Sequence, residues 1–446
     1  MAGSFKTFGT IKGGIVNPGG GLVVLPGGIA SAISVKLGVL TVLSGGVVSG
    51  TIDNNGADVV SGTASNTRVS NGGIEAVFGP GTSLSATTLS GGVQYALSGG
   101  VGSGTTDSAG GADIALAGGR ESRTVVSSGG TEVASSGGTL VSATTLSGGI
   151  QYVLSSGTAS STTDNGGVDI VLAGGIEIGT KASNGGIEVE SSGGTSLSAT
   201  VLAGGVEYAL SGGLASNTII NGGNEQILAG GTATGAIVEG GGILVVSSGG
   251  TINGATMSGG TVEIQSGGLT GANPITYTGG AALILDASTN FNGAIAGFTA
   301  AGEYLDLRDI AFGSSTSMSF VEAGNNLSGT LTVTDGTHTA HLNLLGSHTP
   351  GQFTSASDGH NGTVITDPPD PSSLLWQPEV SLGNSSTVVL RGGELAAGST
   401  VGTWAGAAGL LWQPADDTRG VMAGAFLQNV SAGTLGWVMH PPSLGS

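Results

Sequence analysis

Thr87-Thr-Leu-Ser-Gly-Gly-Val-Gln-Tyr-Ala-Leu97 is a stretch that recurs in the chain with few substitutions, from Thr144 and again from Thr200. Its glycine pair belongs to a longer series whose spacing alternates between 8 and 11 residues, which gives a repeat of 19. The pairs in the clearest part of this series begin at Gly91, Gly99, Gly110, Gly118, Gly129, Gly137 and Gly148. A fixed period of about 20 residues is typical of a solenoid, because one unit buries its apolar face only by stacking on its neighbours.

The run that follows the first glycine pair of each unit has the periodicity of a β-strand. In Val93-Gln-Tyr-Ala-Leu97, polar and apolar residues alternate, which is the period of two that a strand requires. The flanking glycine pairs act as turns, since glycine adopts positive φ freely. The sequence therefore predicts an all-β chain, a parallel β-helix of roughly fourteen coils stacked about 4.8 Å apart.

Alignment of the units predicts which side chains stack on one another. One strand position is apolar in successive units: Tyr95, Ile114, Val133, Tyr152, Ile170, Val189 and Tyr208. The position before it is polar and mostly acidic: Gln94, Asp113, Glu132, Gln151, Asp169, Glu188, Glu207 and Glu225. Because neighbouring residues of a strand point to opposite faces, we expect the apolar ladder inside the coils and the acidic ladder in water.

Composition and charge exclude several classes of function. The 446 residues include 90 glycines, yet 38% are hydrophobic and only 9% are charged, which favours a folded chain over a disordered one. A net charge of −19 with only 10 Lys and Arg argues against binding nucleic acid or anionic lipid. The absence of Cys excludes disulfides, thiolate metal sites and Cys nucleophiles.

Targeting signals are also absent from the sequence pattern. The N-terminus lacks the basic and apolar regions of a secretory signal peptide, and no run of about 20 apolar residues predicts a transmembrane helix. We therefore expect an export address in the C-terminal part, or an incomplete chain.

The repeats resemble those of the AIDA-type self-associating autotransporter adhesins, whose pattern is Thr-x-x-x-Gly-Gly-x-x-x-Val-x-x-Gly-Gly. The resemblance covers roughly residues 40–280. It implies a right-handed parallel β-helix at the bacterial cell surface or in the extracellular medium, used for adherence, autoaggregation and biofilm formation. The partners it implies are another copy of the chain side by side, a host or abiotic surface, or carbohydrate.

In that family some Ser and Thr residues beside the turns carry heptose, which implies O-glycosylation of the Ser-Ser-Gly-Gly segments. The matching residues are Ser127, Ser128, Ser135, Ser136, Ser191, Ser192, Ser247 and Ser248. The alternative is that they are turn residues that bind nearby backbone groups.

The repeat stops near residue 282, and we predict three further segments. Residues 283–366 resemble a β module found near the ends of large secreted proteobacterial proteins, and this module would cap the solenoid. A Pro-rich linker follows at 367–373. Residues 374–446 carry Leu-Leu-Trp-Gln-Pro twice, which predicts a small β module, either a propeller-like repeat or a secretion signal.

Two groups of residues are candidates for a chemical site. His338, His341, His348 and His360 cluster in sequence near Asp335 and Asp358, but they lack the close spacing of metal ligands. The carboxylates of Asp306 and Asp309 flank Arg308 and form the best pair for a polysaccharide-acting enzyme. The short, uniform turns leave no loops to build a cleft. We therefore predict no catalytic residues, metal or cofactor, and a non-enzymatic adhesin stalk, with an inert spacer as the alternative.

Overall fold

The computed structural model describes residues 3–349 and 351–367, and further along only the backbone of four short strands. These strands are Val388–Leu390, Leu410–Trp412, Phe426–Leu427 and Trp437–Val438. The chain divides into two compact units, Met1–Pro368 and Pro369–Ser446. In the second unit the first two strands pair in parallel and the last two pair antiparallel. The predicted linker (367–373) and terminal module (374–446) otherwise lie outside the described residues, apart from Asp367.

The first unit is a parallel β-solenoid of about 16 turns of roughly 19 residues, which confirms the predicted fold class. Each coil contributes strands to three stacks, here named A, B and C. In stack A, Val93 of one coil pairs with Ala112 of the next, and the register continues without a slip through Thr131. The parallel ladders between coils thereby satisfy the backbone polar groups of the strands.

Stack A forms one sheet. Its strands are Ser4–Thr7, Gly21–Val24, Val39–Val42, Ala57–Val60, Ile74–Phe78, Val93–Leu97, Ala112–Leu116, Thr131–Ser135, Ile150–Val153, Val168–Leu172, Ile187–Ser191, Val206–Ala209, Asn224–Ile227, Ile243–Val246, Thr261–Ile264, Ala282–Leu285 and Tyr304–Leu307.

Stacks B and C share a second sheet, and four long strands pass through both. The long strands are Thr10–Val16, Ile29–Lys36, Thr232–Glu239 and Thr251–Ser258. The others in stack B are Val47–Ser49, Thr63–Ser65, Thr82–Leu84, Val101–Ser103, Arg120–Ser122, Thr139–Val141, Thr158–Ser160, Ile176–Ile178, Thr195–Leu197, Leu214–Ser216 and Leu269–Thr270. The others in stack C are Ile52–Asn54, Arg68–Ser70, Thr87–Thr88, Thr106–Asp107, Val125–Val126, Thr144–Leu146, Thr163–Asn165, Lys181–Ser183, Thr200–Leu202, Ile219–Asn221, Ile275–Gly279 and Ala294–Ala296.

Antiparallel strands close the C-terminal end of the solenoid. A meander of Ser317–Glu322, Ser328–Thr334 and Thr339–Leu345 joins stack C, and its last strand pairs with Ala294–Ala296. A hairpin of Thr354–Ser357 and Thr363–Thr366 pairs with the last strand of stack A. A 3-10 helix at Ser288–Asn290 lies between the last coils. These strands cover edges that would otherwise present unpaired backbone groups.

In the described part of the chain, no helix has the length and apolar character of a membrane span.

The second glycine of each pair decides which strand residues point inward. Gly111 has no room for a side chain, because a Cβ there would overlap the backbone carbonyl of Thr88 in the coil below. The residue that follows an inward-facing glycine must point outward, so Ala112 faces out, Asp113 faces in and Ile114 faces out. In every strand that begins after such a glycine, the first residue points outward and the second points inward.

The prediction of which ladder points into the coils and which points to solvent is wrong. Asp113 is fully buried, whereas Ile114 lies half-buried on the outer surface, and the same holds for the equivalent residues of the other repeats. The second inward position of the stack A strands is filled by residues such as Ala96, Ala115 and Val171, and the Tyr side chains lie outside. Apolar character alone was a poor guide because the hydrophobic effect competes here with the space available.

The interior changes its chemistry along the solenoid. Both ends are filled with aliphatic side chains, such as Leu22 and Leu40 at one end and Leu244 and Leu283 at the other. The middle instead buries fourteen carboxyl groups: Asp53, Asp58, Glu75, Asp107, Asp113, Glu121, Glu132, Asp164, Asp169, Glu177, Glu188, Glu190, Glu207 and Glu225. Among the described residues no Lys or Arg is buried with them.

Candidate association surface

The outward residues of stack A form a nearly continuous apolar face, here called face A. It has three parallel ladders, in which each side chain is stacked on the equivalent residue of the next coil. The central ladder is Tyr95, Ile114, Val133, Tyr152, Ile170, Val189 and Tyr208. The ladder beside it is Ile74, Val93, Ala112, Thr131, Ile150, Val168, Ile187 and Val206, and the third includes Leu97, Leu116, Ser135, Leu172 and Ser191.

Stacking of these residues on their ladder neighbours leaves face A half-buried. The exposed fraction reaches 40% for Ile74 and 42% for Ile243. From Ile74 to Val206 the face extends about 34 Å along the solenoid and about 13 Å across, or on the order of 440 Å², given the spacings of strands and residues in a sheet. In the next coil the outward residues are the polar Asn224 and Gln226. An apolar patch of this size on a soluble domain typically marks an interaction site.

The outer faces of stacks B and C are polar by comparison. Thr139 and Thr158 stack on each other on the outside of stack B, and Thr144 and Thr163 do so in stack C. Lys181 occupies the next position of the stack C ladder and is exposed to solvent. Single apolar side chains, such as Ile176 and Ile178, are also exposed on stack B. The apolar ladders of face A are nevertheless the most regular on the three outer faces.

Burial raises the pKa of the interior carboxyl groups. The pKa of Asp53 rises to about 6 and that of Glu75 to about 7, chiefly because the charged form is desolvated. For Asp113 and Glu132, burial is again the main cause, and nearby carboxylates raise the pKa further. Ser83 donates to Glu75 Oε2 at 2.8 Å and lowers its pKa in part.

Two glutamines join the interior carboxyl groups across the coil. Gln151 Nε2 donates to Asp169 Oδ2 at 3.1 Å and to Glu177 Oε1 at 3.0 Å. Gln94 Nε2 donates to Glu121 Oε1 at 3.1 Å. The contacts with Glu177 and Glu121 connect stack A to stack B through the interior, whereas the contact with Asp169 joins two coils within stack A.

Three interior carboxylates lie close enough together to share a cation. Glu188, Glu190 and Glu207 each offer an oxygen within 4.8 Å of the others, and all three are fully buried. Sequence reasoning missed this group because it placed Glu188 and Glu207 on the outside. Glu190 carried a signal of its own, since the equivalent residues Val171 and Ala209 in the adjacent coils are apolar.

The serines predicted as glycosylation sites lie at two columns of turns. In each pair the first serine is half-buried and the second is exposed. Ser127 Oγ donates to the backbone carbonyl of Asp107 at 3.1 Å, whereas Ser128 lies at the corner of the turn and points to solvent. The pairs at Ser135, Ser191 and Ser247 repeat this arrangement of exposure.

The four C-terminal histidines lie in separate environments. His338 Nδ1 lies 3.0 Å from Asp335 Oδ2, and hydrogen bonds from His338 and its neighbours hold the pKa of Asp335 far below its usual range. His341 contacts Thr332, and His348 is buried against Asp367.

Asp306 and Asp309, which flank Arg308 in sequence, have different partners. Asp309 accepts bonds from the backbone and hydroxyl groups of Ser288 and Thr289. Arg308 instead contacts Glu263 at 2.7 Å and Asp286 at 2.9 Å, and Asp306 only at 3.8 Å. An open groove of about 700 Å³ borders Asp306, Arg308 and Tyr304, and His360 and Asp358 also line it.

Comparison with known proteins gives a likeness to a solved structure. Neither a protein-family model nor a curated protein matches the chain. Among solved structures, the chain is similar to the TibC-catalyzed hyper-glycosylated TibA55-350 fragment. The match has a TM-score of 0.52 and 29% sequence identity, and it covers 60% of this chain and 100% of the fragment. That fragment is the passenger of an autotransporter adhesin, so the likeness supports an adhesin-like β-helix stalk.

Proposed function

We propose that this protein is the stalk of a bacterial adhesin, exposed at the cell surface or secreted, which promotes autoaggregation and biofilm growth by pairing side by side with further copies through face A. The likeness to the TibA fragment supports the adhesin class. The single observation that carries the mechanism is the regular stacking of apolar residues in the ladders of face A, set against the mixed polar and apolar outside of the other two faces.

The size of face A sets the strength of the pairing. Two aligned copies would bury on the order of 900 Å² in total, below the range of about 1,200–2,000 Å² that is typical of stable interfaces. One pair of stalks therefore binds weakly and reversibly. Many stalks on two facing cells multiply these contacts, so that cells adhere although isolated molecules dissociate. The same apolar face would also bind a host or abiotic surface, and carbohydrate remains a further candidate ligand.

A display experiment tests this proposal. The protein would be displayed on a non-aggregating bacterium, and sedimentation of the cells measured. We expect the wild type to clump, and the double variant Tyr152→Lys and Val189→Lys to lose clumping, because two charges would be desolvated at the centre of the interface. The control is Thr106→Lys with Thr144→Lys, which adds the same charge to the outside of stack C at the same spacing of two coils.

The outcomes separate the stalk from its alternatives. Clumping that survives in both double variants would contradict pairing through face A. Wild-type cells that do not clump, together with purified protein that stays monomeric at high concentration, would favour the inert spacer.

We also propose that the turns carry O-linked glycans on their exposed serines. The TibA fragment is hyper-glycosylated by TibC. In this chain the exposed members of the predicted set are Ser128, Ser136, Ser192 and Ser248, so we expect them to be modified ahead of Ser127, Ser135, Ser191 and Ser247. Site mapping by mass spectrometry of protein from its native host tests this order, and an intact mass equal to that of the bare chain would contradict it.

A further inference from the structure

We propose that Glu188, Glu190 and Glu207 bind one Ca²⁺ ion inside the solenoid, with Ser196 as an additional ligand. Glu188 and Glu190 lie two residues apart on one strand of stack A and therefore point the same way. Glu207 lies directly on Glu188 in the next coil. The three side chains are fully buried, and each offers an oxygen within 4.8 Å of the other two.

The hydrogen bonding of these residues is incomplete. Both oxygens of Glu188, both oxygens of Glu190 and Oε2 of Glu207 are buried without a hydrogen-bond partner. Thr218 donates to the remaining oxygen, Glu207 Oε1, at 3.3 Å. Buried carboxylates without donors are strongly destabilising, so the group requires protons or a cation to neutralise it.

Ser196 points to a ligand independently of the carboxylates. It is the inward residue of stack B in the same coil as Glu188, and only 1% of it is exposed. Burial raises the pKa of Glu188 and Glu207, and the Ser196 hydroxyl beside them opposes that rise in part. Even so, its Oγ reaches hydrogen-bonding geometry with neither of them. A buried hydroxyl left free beside two of the three carboxylates is placed as a metal ligand would be.

Glu190 makes this coil different from the others. At its position in stack A, the adjacent coils carry Val171 and Ala209, and coils further away carry Ala134 and Val153. All of these residues are buried and apolar. The third carboxylate is therefore an addition to the repeat at one point only, which a general acidic interior does not explain.

The chemistry of the ligands favours Ca²⁺. Carboxylate and hydroxyl oxygens are hard donors, and Ca²⁺ takes 6–8 of them at about 2.3–2.6 Å, so two oxygens of its shell lie up to about 5 Å apart. Three carboxylates binding through both oxygens, with Ser196, would supply about seven ligands. Mg²⁺ requires a tighter octahedron with several waters, which this narrow interior does not favour.

Refolding in the presence of the metal tests the proposal, because the closed wall of the coils should admit the ion only as the chain folds. The full chain is refolded from denaturant at pH 7 with Ca²⁺ or with EDTA, desalted, and analysed for metal by mass spectrometry. We expect about one Ca²⁺ per chain after refolding with Ca²⁺, none after EDTA, and a higher Tm for the Ca²⁺ form.

The variants Glu190→Gln and Glu132→Gln form a matched pair. Each removes one buried carboxylate and keeps the shape, but Glu132 lies outside the group. We expect Glu190→Gln to lose the bound Ca²⁺ and its Tm increase, and Glu132→Gln to keep both. If Glu190→Gln does not fold, Glu190→Ala replaces it, since Ala209 occupies the equivalent position of the next coil.

Two results would overturn the proposal. One is a wild-type protein that carries no Ca²⁺ after refolding with the ion. The other is equal Ca²⁺ retention in the Glu190 and Glu132 variants, which would show binding elsewhere.

Discussion

Gln94 and Glu121 are joined across the interior of the solenoid, where Gln94 Nε2 donates to Glu121 Oε1 at 3.1 Å. Both side chains are fully buried, and Thr105 Oγ1 donates in turn to Gln94 Oε1 at 3.4 Å. Gly102 makes space for the pair, because a Cβ at that position would overlap both side chains. The amide thus provides a donor to a carboxyl group in an interior that has no buried Lys or Arg among the described residues.

Removal of this donor should destabilise the protein in a pH-dependent way. We expect Gln94→Leu to lower the free energy of unfolding by about 1–3 kcal/mol, because Glu121 loses a partner in a buried site. The loss should be greater at pH 8 than at pH 5, because burial raises the pKa of Glu121 and its charged form is populated only at the higher pH. Urea unfolding at the two pH values measures both effects, and an equal loss at both would contradict the role of the amide.

The interior carboxyl groups predict that stability falls as pH rises. The pKa of Asp53 in the folded protein is about 6 and that of Glu75 about 7, against ordinary values of 3.8 and 4.5. Folding favours the protonated forms, so their contribution is complete below about pH 4 and is lost as pH rises through 6 to 7. We therefore expect the urea midpoint, measured in EDTA, to decrease from pH 4 to pH 8.

Glu75→Gln is the variant that isolates one of these groups. It removes a carboxyl whose ionisation opposes folding on the order of 3 kcal/mol at pH 8, from the shift in its pKa. We expect it to be more stable than the wild type at pH 8 and to show a flatter dependence on pH. A wild-type midpoint that increases from pH 4 to pH 7 would contradict the buried acidic interior.

Substitution by Ala should lower the stability of the protein by different amounts at the two glycines of a pair. Gly118 has a φ of +82° and open space around its Cβ position, so Gly118→Ala should cost about 1 kcal/mol through backbone strain. Gly119→Ala should cost several times more, because its Cβ would overlap the carbonyl of Ala96 and push two coils apart. Thermal unfolding of both variants checks the order, and equal losses would show that the second glycine does not contact the coil below.

The repeat length and the strand period were enough to predict the β-solenoid, since a period of 19 with glycine turns fits few other folds. The sequence did not correctly predict which side chains point inward, because Gln94 was assigned to the outside and Tyr95 to the inside by polarity alone. Gly92 would have corrected this, as a glycine in contact with the coil below points inward and fixes the parity of the residues after it. The carboxylate group was hidden for the same reason, although Glu190 interrupts a column of Ala and Val in the aligned repeats.

Thiol labelling tests the inverted ladders most directly, because the natural chain has no Cys and each single Cys variant therefore reports one position. Gln151 is fully buried, whereas its neighbour Tyr152 is half-exposed on face A. We predict that Tyr152→Cys reacts with a maleimide in the native protein and that Gln151→Cys reacts only after unfolding in denaturant. Rapid labelling of Gln151→Cys in the native state, with Tyr152→Cys protected, would contradict the account.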